Sequence, residues 1–296
     1  MVKVIGFSKE FESMRRKSIF EAEEYDDTFG DASDINLTGN LKKDFNTLIS
    51  KLRGVDYEDL GDELKNICDD PKLYALLSKG FGDGELANVK MSSSVISIPV
   101  KSLLPSQSEI GLDNSLKFPL KSDNLNGGIN LFKDPVTVVA PIVIYKKLFI
   151  IDGHHRWSEL YMINPNAKIT AINFNYEEDS PLRALRNFQG AIAVANKDVP
   201  KSYSRVNNVY DMSEEQIRKY VENNITDECI QSLIDAKAEN RVVAVADRDT
   251  AIEYIVENAL DLKAYNKPYE NAPDREYMPQ TDDSSIDVAK KGQTNI

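Results

Sequence analysis

The chain has two histidines and one tryptophan, and all three stand together in His154-His155-Arg156-Trp157, directly after Asp152-Gly153. Each residue type in this run suits a phosphate ligand. Arg156 can fork onto phosphate oxygens. His154 and His155 can donate to phosphate or move a proton, and Asp152 can hold Mg²⁺ directly or through water. Gly153 permits a tight turn and carries no side chain to block a ligand's approach. The plainer alternative is that Asp-Gly is an ordinary turn, the histidine pair caps a helix, and Trp157 is core.

The elements around this run favour the chemical reading. Val136 to Ile144 and Leu148 to Ile151 are β-branched and aliphatic runs on either side of Lys146-Lys147, the pattern of a hairpin, with Pro141 forcing an edge or irregularity in the first. After Gly153 the apolar residues fall at Trp157, Leu160 and Tyr161, so a helix is expected from about His154, ending before Pro165. Lys168 to Phe174 reads as a further strand. A turn between a strand end and a helix start offers unpaired backbone N–H groups at the positive end of a helix dipole, which favours an anion.

Helical spacing dominates the flanks. Phe45, Leu48, Ile49 and Leu52, then Leu60, Leu64 and Ile67, then Leu73, Leu76 and Leu77 mark three helices before a glycine-rich connector at 81–91. Leu182, Leu185, Phe188 and Ile192 mark another. Ser213 to Gln216 and Thr250 to Glu253 fit capping boxes, and Thr226 to Cys229 looks like a further helix start. The acidic cluster from Glu21 to Asp27 reads as a solvated segment, and 122–130 as an exposed loop. The expected organisation is α+β: a mainly helical region over 1–90, a small mixed-sheet domain over 91–176, a helical region over 177–266, and a mobile polar tail over 267–296.

The stretch from Val95 to Pro105, then Asp134 to Val136, then Leu148 to Trp157, resembles the ParB/sulfiredoxin superfamily over roughly 93–175. That resemblance implies nucleotide phosphate held at the Gly153-His154-His155-Arg156 turn, with ADP, ATP or CTP and Mg²⁺ as cofactors and Asp152 as the metal residue. Sulfiredoxin chemistry is ruled out, because His154 stands where its cysteine would be. The Asp-Gly-His-His-Arg form is closest to the free-serine kinase branch and to uncharacterised ParB-like proteins. Such kinases carry a catalytic glutamate after Leu-x-Pro, the placement of Glu109 after Leu104-Pro105, so Glu109, Asp152 and His155 are the catalytic candidates. A plain surface role for Glu109 weighs equally. ParB-like proteins with unfamiliar helical flanks occur on phages and mobile elements, which adds virion association as an alternative location.

Charge sorts the function classes. The chain carries 36 basic and 48 acidic residues, net -12. Residues 1–90 hold 13 basic and 19 acidic groups, residues 91–175 hold 8 and 6, and the remainder 15 and 23. Only the middle has a balance that welcomes a polyanion, although a small sheet-rich core with few surface carboxylates would show the same split. The second helix of the nearest helix-turn-helix candidate begins Thr226-Asp-Glu-Cys229, too acidic for phosphate or base contact, so DNA binding is disfavoured. A nuclease ranks last, for want of clustered carboxylates beside a basic groove.

Cys68 and Cys229 are far apart in sequence and fit a reduced cytoplasmic protein. No apolar run is long enough to span a bilayer. Two readings are carried forward: a nucleotide-dependent phosphotransferase or nucleoside triphosphatase with a small-molecule or protein acceptor, and a non-catalytic ParB-like binding or structural module. Self-association into a homo-oligomer stays open.

Overall fold

The computed structural model describes residues 35–82, 85–121, 130–137, 140–176, 180–201, 206–238, 245–292 and 294–296. The acidic cluster at 21–27 and nearly all of the loop expected at 122–130 lie outside these residues. The fold is α+β. Among the described residues it has ten α-helices and one five-stranded mixed sheet.

Three helices open the described chain: α1 (Leu41–Arg53), α2 (Tyr57–Asp69) and α3 (Pro71–Phe81). Each buries the apolar stripe its sequence spacing defines. Strands β1 (Met91–Pro99) and β2 (Leu104–Pro105) follow, then a short helix α4 (Leu112–Leu116). Next come β3 (Ile142–Tyr145), β4 (Phe149–Asp152), α5 (His154–Ile163) and β5 (Lys168–Tyr176). The C-terminal helices are α6 (Pro181–Asn196), α7 (Glu214–Asn224), α8 (Asp227–Ala238), α9 (Arg248–Tyr265) and α10 (Asp283–Lys290).

The sheet order is β1-β5-β3-β4-β2, with β1/β5 and β3/β4 antiparallel and β5/β3 and β4/β2 parallel. The β3–β4 hairpin turns at Lys146 and Lys147, both at positive φ (50° and 56°), and is closed by Leu148 N–H donating to the Tyr145 carbonyl at 3.0 Å. That is the primed geometry a two-residue hairpin demands.

Period-two alternation sends side chains into two cores. Ile142, Ile144, Ile150, Ile169 and Ala171 face one, shared with α4, α5, α7, α8 and α9. Val143, Tyr145, Phe149, Ile151, Phe174 and Tyr176 face the other, shared with α1, α2, α3, α6 and α10. The helical flanks are therefore the two covering layers of the sheet, and β3, covered on both faces, is apolar throughout.

Three expectations need correction. Of the described residues of the first apolar run, only those from Ile142 belong to a strand (Ile142–Tyr145), and Val136 makes an isolated parallel bridge to Ile169. Helix α9 is capped one turn earlier than expected, by Asp247 and Thr250 in a capping box, because its buried face starts at Ala251 and Ile252. The stretch 267–296 is not a loose tail. Helix α10 packs Ile286, Val288 and Ala289 into the second core, joined by Met278 and Ile296. Gln189 Nε2 donates to the Tyr277 carbonyl at 2.6 Å, and Arg53 Nε to the Asn295 carbonyl at 2.6 Å. Among the described residues no helix is long and apolar enough to cross a membrane.

Candidate functional site

Strand β4 ends at Asp152, and Gly153 turns the chain into α5 with φ +96°. The close approach of β3 demands glycine there. A Cβ would lie 2.6 Å from Ile142 Cγ2 and 2.9 Å from Arg156 Nη2. Gly153 brings no side chain to cap the helix, and the first turn of α5 holds no acid. The backbone amides of His154, His155 and Arg156 consequently find no acceptor among the described residues.

His154 and His155 play different parts. His154 is buried, and its Nε2 accepts the Ser106 amide at 3.1 Å, which places the ring proton on Nδ1. It thus pins the loop after β2 onto the turn rather than facing solvent. His155 is half-buried, and its Nδ1 is enclosed with no hydrogen-bond partner among the described residues. Burial holds both imidazoles neutral, helped by the nearby Arg156 and Arg275. His155 is lowered to about 4, and His154 lies well below the ordinary histidine range.

Arg156 stands before Asp152, Nη2 to Oδ2 3.8 Å, and Nη2 makes a long 3.4 Å contact with the Pro141 carbonyl, while Nε is buried with no partner among the described residues. Asp152 spends Oδ1 on the Gly153 amide at 2.7 Å and Oδ2 on the Thr281 hydroxyl and amide at 2.7 and 3.3 Å. Among the described residues no group of three or more His, Cys, Asp or Glu side chains could hold a metal. An Mg²⁺ carried by nucleotide phosphates needs only one or two protein carboxylates, and the half-buried Asp152 fits that lesser demand.

Glu109 does not stand in open solvent. Its carboxylate accepts the Arg275 amide and is raised above the usual carboxylate range by burial and by Asp274. The Arg275 guanidinium lies among Glu109, Asp113 and His155, and its Nη1 and Nη2 donate to Asn114 Oδ1 at 2.8 and 3.0 Å with the amide turned to face it. Glu109 and His155 thus flank one cation, whereas Asp152 is held separately by Thr281.

Arg275 and Thr281 are the site residues that sequence reasoning missed. Both belong to the C-terminal stretch 273–281, which also binds the first loop through Ser108: its amide donates to the Pro273 carbonyl at 2.9 Å, and its hydroxyl to Asp274. No sequence signal singles them out, since their contacts span more than a hundred residues.

The histidine environment gives a direct prediction. A histidine whose folded pKa is depressed stabilises the fold through its neutral form. That contribution is complete above the unfolded value near 6.5 and falls away as pH drops from there toward about 4, where His155 protonates in the folded state too. With only two imidazoles, both are readable by NMR. His155 should titrate near 4 and His154 well below the ordinary histidine range, and stability should decline from pH 6.5 downward. Two midpoints near 6.5 would show that neither ring is enclosed as described.

Compared with protein-family models, with curated proteins and with solved structures, the chain matches none.

Proposed function

We propose that the chain is a ParB-like nucleotide-binding protein that takes ADP, ATP or CTP by its phosphates at the Gly153–Arg156 turn. The carrying observation is that, among the described residues, three amides at the start of α5 have no acceptor, and neither the Arg156 Nε nor the His155 Nδ1 has a partner. Amides at a helix start, a guanidinium and an imidazole all suit an anion. Because His155 is neutral at pH 7, the charge that attracts phosphate comes from Arg156 and, across the turn, from Arg275. His155 then contributes a hydrogen bond.

Phosphoryl transfer is the catalytic form of this reading. Glu109, raised toward neutrality and beside Arg275, has the character of a base that accepts a hydroxyl proton as the hydroxyl attacks a terminal phosphoryl group. Asp152 with the phosphates would hold Mg²⁺, which would neutralise charge on the transferring group. One observation favours the second reading, a non-catalytic module: Thr281 already occupies Asp152 Oδ2, the oxygen a metal would use.

Pyrophosphate and NMR test the site itself. Bound anion stabilises an imidazolium, so the His155 midpoint should rise from about 4 on adding pyrophosphate, and Arg156→Ala should abolish the rise. Resonances of His155 that ignore millimolar pyrophosphate would overturn the proposal.

A further inference from the structure

Strand β1 is nine residues long and, among the described residues, is the edge of the sheet, pairing on one side only, with β5. The register fixes which backbone groups face outward. Val100 N–H donates to the Ala167 carbonyl, so residues of that parity (Ser92, Ser94, Ile96, Ile98) are bonded to β5. Residues Ser93, Val95 and Ser97 therefore turn their N–H and C=O groups away from the sheet. The other edge of β5 agrees with this assignment: Thr170 N–H and the Lys168 and Phe174 carbonyls bond toward β3 and Val136. Pro99 carries no N–H, and its carbonyl is taken by Ser102 Oγ.

Helix α10 approaches β1, but among the described residues the strand itself carries few of the usual protections. Natural edges are short, bulged, covered, or carry lysine or proline along their length. Here Met91 to Pro99 has no charged residue, in a chain that is 28% charged, and its single proline is the last residue. Its residues pair with β5 without a break in register. Ser92, Ser93, Ser94 and Val95 are all exposed, and Val95 shows 71% of its surface, the most exposed large apolar side chain among the described residues.

We infer that β1 is a self-association surface, and that its occupant is β1 of a second copy, antiparallel about a two-fold axis through Val95. Only self-pairing makes use of every feature. In that register Val95 faces Val95 of the other copy, and Ser93 faces Ser97. About six new backbone hydrogen bonds close between the outward groups. The same register sets Ile96 directly opposite Ser94 and puts no like charges directly opposite, since Lys90 falls opposite Val100 and Lys101 opposite Val89. The acidic surface of the chain, net -12, repels a second copy at most other approaches but contributes no carboxylate along this strand. The two sheets become one of ten strands.

The test is analytical ultracentrifugation of the full chain up to about 100 µM, the range in which a micromolar contact is populated. A species of twice the chain mass is expected. Val95→Lys and Ser97→Pro should each return it to monomer, because the first sets charge against charge on the axis and the second removes an outward N–H without touching the β5 ladder. Their circular dichroism should match the parent's. Val95→Cys should cross-link two copies under mild oxidation, since residues paired across the axis lie about 5.5 Å apart at Cα, within disulfide reach. The native Cys68 and Cys229 are buried and do not compete. A monomer at the highest concentration, or a dimer that survives both edge variants, overturns the inference.

Discussion

Gly153→Ala is expected to cost about 2–4 kcal/mol of stability and to remove anion binding together. Two terms add. A non-glycine residue at φ +96° costs about 1–2 kcal/mol. The new methyl also stands 2.6 Å from Ile142 Cγ2, on a strand packed on both faces, so the clash cannot be relieved by swinging a flexible side chain into solvent. Gly39 isolates the first term, for it too has positive φ (+83°) but nothing within 4 Å of its Cβ position. Urea unfolding of Gly39→Ala should show a loss of about 1 kcal/mol, and Gly153→Ala a clearly larger one. Equal losses would mean that Ile142 does not crowd the turn and that the backbone there has room to rearrange.

Ile286→Asp is expected to destabilise by about 3–5 kcal/mol, a large share of the roughly 5–15 kcal/mol that holds a typical domain. Ile286 is 5% exposed and lies in the core shared by α1, α3 and α6, so the substitution both empties a packed volume and buries a carboxylate among apolar side chains. The same change should weaken anion binding, because α10 anchors the stretch that carries Arg275 and Thr281 to the turn. A loss within about 0.5 kcal/mol, the range of ordinary surface changes, would restore the view of 267–296 as a loose appendage.

The contrast between these two positions explains what the sequence discloses. The turn was legible because its signal is local and chemically rare: both histidines, an arginine and an Asp-Gly pair at a change from strand to helix periodicity. The helices of the flanks were legible for the same reason, since Phe45 to Leu77 and Leu182 to Ile192 repeat an apolar stripe over several turns. The C-terminal stretch has no such repeat. Helix α10 runs only from Asp283 to Lys290 and shows three buried apolar residues, too few to separate from chance. Its value to the fold lies in what it touches, and those partners are distant in the chain. Thr250 shows a different limit. Asp247 to Thr250 and Thr250 to Glu253 both fit a capping pattern, and only the packing of Ala251 and Ile252 against the first core selects the earlier one.

The split between His154 and His155 could not be read from sequence either. Adjacent residues on a helix point about 100° apart, so one ring of the pair was bound to differ from the other. Which one turns inward depends on the loop that β2 delivers, and Ser106 settles it by donating to His154. For the proposed function the consequence is that His155 and Arg156, rather than His154, are the residues expected to meet a ligand, with Arg275 near His155.

Calorimetric titration of ADP, ATP and CTP with Mg²⁺ into the wild-type chain and into Arg156→Ala tests the central claim most directly. At least one nucleotide should bind the parent, with affinity falling tenfold or more in the variant, as expected for loss of a charge-assisted contact worth about 1.5–3 kcal/mol. A folded parent that binds none of the three, or a variant that binds as tightly as the parent, would contradict it.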